Sequence, residues 1–221
     1  ETEGYRWTFE AQTGYATTPL IAAAYALFQE RQTRWNYTRV RRIIWDEYGH
    51  PATSAGNPIY PAIAGAMRFP EIDEGAHEAN FTNIVGIYMK YFPDMALEAL
   101  MQVSAHYRMP LVQLPNAEEF MRCILAAGIG SPRAVINDVM NPALQRMGLT
   151  DRSALRNAVK NFRSLPEHAV VHIQGKPLNG LPDDEDLAIY EMTPSGDFIL
   201  ETPGEEPSQI TNGSIISKHP L

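Results

Sequence analysis

The spacing of the apolar residues changes at residues 163–166, and this change constrains the fold more than any other feature of the chain. Before it, apolar residues recur every three or four positions, which is the period of amphipathic helices. After it, residues 169–173 and 187–192 show the β-branched, strand-like pattern. The sequence therefore predicts a mainly α fold, a helical bundle over residues 1–164 with a small C-terminal β-hairpin element within residues 165–221.

The distribution of charge changes at the same place. Residues 165–221 hold ten carboxylates against Lys176 and Lys218, so they carry the whole net charge of −8, whereas the preceding residues are neutral overall. We therefore expect an α-helical domain followed by an acidic appendage, with a poorly ordered tail after residue 201 unless it docks on the body. The acidic balance argues against nonspecific nucleic-acid binding by the whole chain.

Capping residues and helix breakers divide the first region into separate helices. Thr18 followed by Pro19 predicts a helix start, and the alanine-rich stretch after it predicts a helix to about residue 32. A second helix is expected over residues 38–48, so that the two form a hairpin joined near residues 35–36. Further helices are expected over residues 59–67, 75–92, 94–105 and 116–127. Another is expected from residue 131 onward, interrupted by Pro142, and a final one over residues 150–163.

The acidic region predicts strands rather than helices. We expect strands over residues 169–173, 187–192 and 198–201, and the last two form a hairpin around a turn that contains Pro194 and Gly196. Residues 178–186 are expected to form an acidic loop.

No group of residues defines a reaction centre. His168 and His172 are four apart in a strand-like run, where residues two apart share a face, so they do not predict a metal site. His77 lacks the second histidine of a zinc-protease helix, and Cys123 is expected to be a small core residue. The acidic quartet at residues 183–186 lacks the alternation of a calcium loop. We therefore expect no catalytic residue, no metal ligand, no cofactor and no enzymatic activity.

Two groups of basic residues are the candidate binding surfaces. The first surrounds the predicted hairpin junction and consists of Arg31, Arg34, Arg39, Arg41 and Arg42. Because arginine forks suit carboxylates, this group predicts a surface for acidic protein segments. The second forms a stripe on the last predicted helix and consists of Arg152, Arg156, Lys160 and Arg163. Helices followed by a hairpin also describe a winged-helix fold, in which this stripe would contact nucleic-acid phosphates.

Several short motifs resemble the DotM/TrbA (IcmP) family, in the same order along residues 9–140. They are Phe9, Gln12 and Gly14, the alanine-rich residues 19–28, Arg31, His77 with Thr82, residues 114–115, residues 123–125, Gly128, and residues 131–132. The resemblance implies a helical cytosolic domain of a protein anchored in the bacterial inner membrane. It also implies a role in the coupling complex of type IVB secretion or conjugation, with a coupling ATPase and other machine components as protein partners.

In that family, the basic segment that recruits acidic substrates lies largely ahead of the first motif. This chain scarcely covers that segment, so substrate recruitment cannot be assigned to particular residues here. The chain begins at Glu1 without a methionine, as expected of a domain cut from a longer protein. The longest apolar run, residues 19–28, is too short to cross a membrane of about 30 Å.

Two alternatives remain open: a winged-helix nucleic-acid-binding protein, and a viral or phage structural subunit.

Overall fold

A computed structural model describes residues 18–48, 59–109, 115–167, 169–173, 176–177, 188–201, 208–211 and 214–216. These residues form a mainly helical fold with a small C-terminal sheet, as the sequence predicts. The helices are α1 Pro19–Tyr48, α2 Ile59–Tyr91, α3 Pro93–His106, α4 Ala117–Ala126, α5 Pro132–Ala134, α6 Asn141–Arg146 and α7 Arg152–Phe162. A π-helical segment, Val135–Met140, joins α5 directly to α6.

The predicted hairpin of two helices near residues 35–36 is wrong, because α1 is one continuous helix of 30 residues. No proline or glycine interrupts residues 20–48. The threonine hydroxyls inside the helix donate hydrogen bonds to backbone carbonyls of the preceding turn. Thr33 Oγ1 donates to the Gln29 carbonyl at 3.1 Å, and Thr38 Oγ1 donates to the Arg34 carbonyl at 3.0 Å. These back-bonds let polar threonines remain within the helix.

The second helix is also longer than predicted. The helices predicted over residues 59–67 and 75–92 form one helix, α2, which ends at Tyr91 and contains Pro70. A proline removes one backbone hydrogen bond from a helix interior, but the turn that follows is held to α1 by Glu71, which contacts Thr38 and Arg41. Contacts between Arg41 and Glu71 and between Arg31 and Glu78 show that α1 and α2 run antiparallel.

Local signals predicted the later helix starts well. Ser131 caps α5 by accepting from the Ala134 amide, and Asp151 caps α7 by accepting from the amides of Ser153 and Ala154. Asn116 precedes α4, but its side chain makes no capping hydrogen bond. Asp94 lies in the first turn of α3 rather than at its cap.

The strands form a sheet in the order β2-β1-β3-β4-β5-β6. The predicted hairpin is confirmed, because β3 and β4 pair antiparallel, whereas β1 lies parallel to β3. The described residues of the tail add β5 and β6 to the free side of β4. The strands are β1 Val170–Ile173, β2 Lys176–Pro177, β3 Ile189–Met192, β4 Phe198–Glu201, β5 Ser208–Thr211 and β6 Ser214–Ile216.

One apolar core joins helices and sheet. Tyr190, Met192 and Phe198 from the strands are buried in the same cluster as Leu100 of α3 and Leu155 of α7. Helix α7 packs against both α3 and β4. The predicted boundary near residue 165 therefore marks a change of secondary structure within a shared core, and the division into two domains stays a prediction.

The turn between β3 and β4 docks against α7. Gly196 has a φ of +81°, and a Cβ built on it would lie 1.9 Å from the Ala154 carbonyl oxygen. Asn161 Nδ2 donates to the Gly196 carbonyl at 3.1 Å, and the Thr150 amide donates to the Pro194 carbonyl at 2.8 Å. The missing side chain of Gly196 therefore allows the hairpin to approach the helix backbone.

We expect Gly196→Ala to lower the free energy of unfolding by at least about 2 kcal/mol, because it adds a backbone clash to a positive φ. Gly65→Ala is the matched control, since Gly65 lies in α2 with nothing within 4 Å of its added Cβ. That change should stabilise the protein by up to about 1 kcal/mol. Urea denaturation followed by circular dichroism measures both, and equal midpoints for the two variants would contradict the close approach.

Candidate functional site

Three arginines surround the carboxylate of Glu78, which is fully buried. Arg31 Nη1 lies 2.5 Å from Oε1, Arg34 Nη1 lies 3.1 Å from Oε2, and Arg146 Nη1 lies 2.9 Å from Oε1. Two arginines come from α1 and the third from α6, while Glu78 belongs to α2. A buried carboxylate needs such partners because its desolvation is unfavourable. Glu78 therefore connects three helices through charge.

Arg31 also compensates for a helix irregularity. Pro142 has no N–H, so the Asp138 carbonyl lacks the donor that an α-helix would supply four residues later. Arg31 Nε donates to this carbonyl at 3.3 Å. Its guanidinium thus connects α1 both to Glu78 and to the π-helical segment.

The remaining arginines of the first basic group also lie on α1. Arg41 contacts both carboxylate oxygens of Glu71, at 2.8 and 3.4 Å. Burial pushes the pKa of Glu71 upward, but hydrogen bonds from Arg41 and Thr38 outweigh it and bring the pKa below its ordinary value. Arg39 donates to the Gly128 carbonyl at 2.9 Å and lies over the Trp35 ring.

The structure thus does not bring the first basic group together as one free surface. Four of the five arginines bind groups within the chain. Arg42 is exposed, and no hydrogen bond or ion pair connects it to the described part of the chain. Most arginines of the predicted surface for acidic segments are therefore already hydrogen-bonded to glutamates or backbone carbonyls of the fold itself.

The second basic group is also divided. Arg156 and Lys160 are exposed on α7, whereas Arg163 forms an ion pair with Glu98 of α3. Arg152 is partly buried and lines a groove instead of continuing the stripe. Arg152 and Arg163, two of the four residues predicted to contact phosphate, therefore lie at the groove or in an ion pair instead.

That groove is a cleft formed by side chains of several helices. It has a volume of about 410 Å³, is open to solvent along one side, and is lined mainly by apolar atoms. Its walls come from α1, the end of α3, α4, α5 and the π-helical segment. Apolar side chains that line it are Met109, Met121, Ile124, Leu125, Ile136 and Met140. We refer to this cleft as the apolar groove.

The walls of the apolar groove carry buried polar atoms that have no partner among the described residues. Gln32 is 9% exposed, and its buried Oε1 accepts no hydrogen bond from them. Arg152 Nε is likewise buried and donates no hydrogen bond to them. Gln32 Oε1 can accept a hydrogen bond and Arg152 Nε can donate one. Leaving a buried polar group of this kind unsatisfied costs about 1–3 kcal/mol. Arg108 adds an exposed positive charge to the lining.

A second cluster lies between α1 and α2. Glu30, Glu74 and His77 each offer one ligand atom within 4.8 Å of the others. His77 Nδ1 lies 3.3 Å from Glu30 Oε2 and 3.2 Å from Glu74 Oε2. Burial, followed by the hydrogen bond and charge of Glu74, raises the pKa of Glu30 to about 7. The hydrogen bond to Glu74, and then that to Glu30, raises the pKa of His77.

The other residues singled out in the sequence have varied positions. Cys123 is exposed on α4, so its predicted place in the core is wrong: the apolar face of this short amphipathic helix points elsewhere. His172 is buried in β1. His168, the loop 178–186 with its acidic quartet, and the motif at residues 9–14 lie outside the described residues. The apolar groove was missed because its lining is drawn from separate segments between Gln32 and Arg152, which meet only when the helices pack.

Within the described ranges, no helix combines the length and the apolar character that a membrane span requires. No protein-family model, curated protein or solved structure matches this chain. The chemistry of the described residues is therefore the basis for a functional proposal.

We expect Glu78→Gln to lower the free energy of unfolding by about 3 kcal/mol, because it leaves three arginines facing one another without a counter-charge. The value lies at the low end for a buried pair, since Arg34 and Arg146 are partly exposed. Urea denaturation of the full chain measures it.

Glu98→Gln is the control for that change. Glu98 pairs with Arg163 at the surface, where both side chains are exposed. Its replacement should change the free energy of unfolding by no more than about 1 kcal/mol. If the two variants lost stability equally, Glu78 would not connect the helices as described.

Proposed function

We propose that this chain is a nonenzymatic protein-interaction domain whose apolar groove binds a segment of a partner protein. The observation that carries this proposal is an open apolar cleft with two buried polar atoms on its walls, Gln32 Oε1 and Arg152 Nε, which have no hydrogen-bond partner in the described ranges. A peptide offers both complementary groups, through its backbone N–H and C=O or through a carboxylate.

The lining supports a protein segment as the ligand. Met109, Met121 and Met140 are flexible and polarisable, and methionine-rich surfaces adapt to varied apolar side chains. Helical walls around an open cleft also favour recognition of an amphipathic helix or an extended apolar segment. Leu125 of the lining is 49% exposed, so it is available to a partner without unfolding.

Charge supports an acidic partner segment. Arg108 and Arg152 both line the groove. By contrast, Arg31, Arg34 and Arg41 of α1 are already paired with glutamates of α2. A carboxylate on the partner would thus meet positive charge at the groove. The proposal keeps acidic partners but transfers their binding from the arginines of α1 to the groove.

Exposed apolar residues on the outer side of the helices support further protein contacts. Phe69 is 74% exposed and Ile72 is 57% exposed on α2, and Met95 on α3 is 53% exposed. Large exposed apolar residues in groups are typical of interaction surfaces. A scaffold that contacts more than one partner would use such surfaces beside its groove.

The resemblance of residues 9–140 to the DotM/TrbA (IcmP) family supports a more specific proposal. The chain would be the cytosolic domain of an inner-membrane-anchored bacterial protein in a type IV secretion or conjugation coupling complex. Its partners would then be a coupling ATPase and other components of the machine. The division of the α7 basic stripe gives less support to nucleic-acid binding, because only Arg156 and Lys160 remain on its outer face.

Peptide binding tests the groove directly. Random peptides displayed on phage are selected on the full chain, and the selected peptides are labelled and measured by fluorescence anisotropy. Leu125→Asp should weaken binding at least about tenfold, or about 1.4 kcal/mol, because it introduces a charge into the apolar lining. Ile87→Asp is the control, since Ile87 is 59% exposed on α2 and does not line the groove.

Equal binding by the two variants would reject the groove as the site. Salt-dependent DNA binding that is lost in Arg156→Glu and Lys160→Glu would favour the nucleic-acid alternative instead, since phosphate contacts release counterions. Concentration-dependent assembly of the pure chain, seen by electron microscopy, would favour a structural subunit.

Charge reversal tests the preference for acidic segments. Arg108→Glu should weaken binding of acidic selected peptides several-fold more than binding of neutral ones, and added salt should reduce the difference. Arg42→Glu reverses an exposed charge away from the groove and should affect neither class. If Arg42→Glu had the larger effect, acidic segments would bind along α1 rather than at the groove.

A further inference from the structure

The contact between α1 and α2 contains a row of carboxylates. Glu71, Glu74 and Glu78 lie three and four residues apart, so they share one face of α2. The first meets Arg41 and the last meets arginines of α1 and α6. Glu74, in the middle, faces another carboxylate, that of Glu30 on α1. Among the described residues, the row therefore has arginines at both ends and none at its centre.

Neither central carboxylate has a lysine or arginine partner in the described part of the chain. The side chains of Glu30 and Glu74 are only 15% and 17% exposed, so solvent screens their charges poorly. His77 Nδ1 lies 3.3 and 3.2 Å from their oxygens. A ring nitrogen carries at most one hydrogen, so the two oxygens compete for a single donor. One cation bound by all three atoms would satisfy them together.

The spacing of the three groups suits a metal ion. Zinc binds histidine nitrogen and carboxylate oxygen at about 2.0–2.2 Å, so neighbouring ligand atoms in a tetrahedral site lie about 3.3–3.5 Å apart. Both nitrogen-to-oxygen distances are close to this value. The ligands come from two rigid helices, and the 59% exposed side chain of His77 leaves a path for an ion to enter.

We propose that Glu30, Glu74 and His77 bind a divalent transition-metal ion, with Zn²⁺ as the preferred ion. The imidazole ligand favours zinc over magnesium and calcium, which prefer oxygen ligands alone. Three protein ligands leave a further position for water. The bound ion supplies the missing positive charge of the row and holds α1 to α2. None of its ligands lines the apolar groove, so this site is independent of the proposed function.

Isothermal titration calorimetry tests the site. The full chain, without an affinity tag and after treatment with a chelator, is titrated with ZnCl₂. We expect saturable binding of one ion per chain, with Mg²⁺ binding far more weakly. Co²⁺ should give the intense visible absorption of four-coordinate cobalt, which reports tetrahedral coordination of the bound ion.

His77→Ala and Glu30→Gln should each weaken Zn²⁺ binding at least tenfold and remove the cobalt spectrum. Glu30→Gln keeps the side-chain volume and removes a carboxylate contact, so the metal-free variant should melt no lower than the parent chain by circular dichroism. His106→Ala replaces an exposed histidine on α3 and should leave the binding unchanged. No saturable Zn²⁺ binding, or equal binding by all three variants, would overturn the proposal.

Discussion

The buried carboxylate of Glu78 is the charge on which the packing of the helices depends. It lies on α2 and meets arginines from α1 and α6, so helices that are distant in the chain share one ion-pair network. Such a network is favourable only when every partner is present, because the desolvated charge has no access to water. Arg31 and Arg34, which the sequence analysis assigned to a binding surface, therefore hold helices of the fold together.

This internal use of charge determines where binding can occur. Arg31, Arg34 and Arg41 are already paired, whereas Arg108 and Arg152 line the apolar groove without an ion pair to a described residue. Arg31 also supports one wall of that groove, since it donates to the carbonyl of Asp138 in the π-helical segment. π-helical turns occur frequently at functional sites. The same guanidinium thus connects the core network to the proposed binding surface.

Local features could be predicted from the sequence, whereas features that depend on distant contacts could not. The start of α7 near residues 150–151, the turn that contains Gly196 and the β3–β4 hairpin follow from a few neighbouring residues, and the sequence predicts all three. The unbroken course of α1 was missed, because its arginines are paired with glutamates of α2 that lie 30 and 44 residues away in the chain. The apolar groove and the cluster of Glu30, Glu74 and His77 were missed for the same reason: their members come together only after the helices pack.

Hydrogen–deuterium exchange of the full chain, with and without a selected peptide, tests the central claim most directly. The claim is that the α1 arginines hold the fold together while the groove binds the partner. We expect the peptide to protect residues 104–109 and 121–136, which form the groove walls, and to leave the outer face of α7 unchanged. Protection confined to residues 152–163, or to the exposed face of α2, with no change in α4 and the π-helical segment, would contradict the claim.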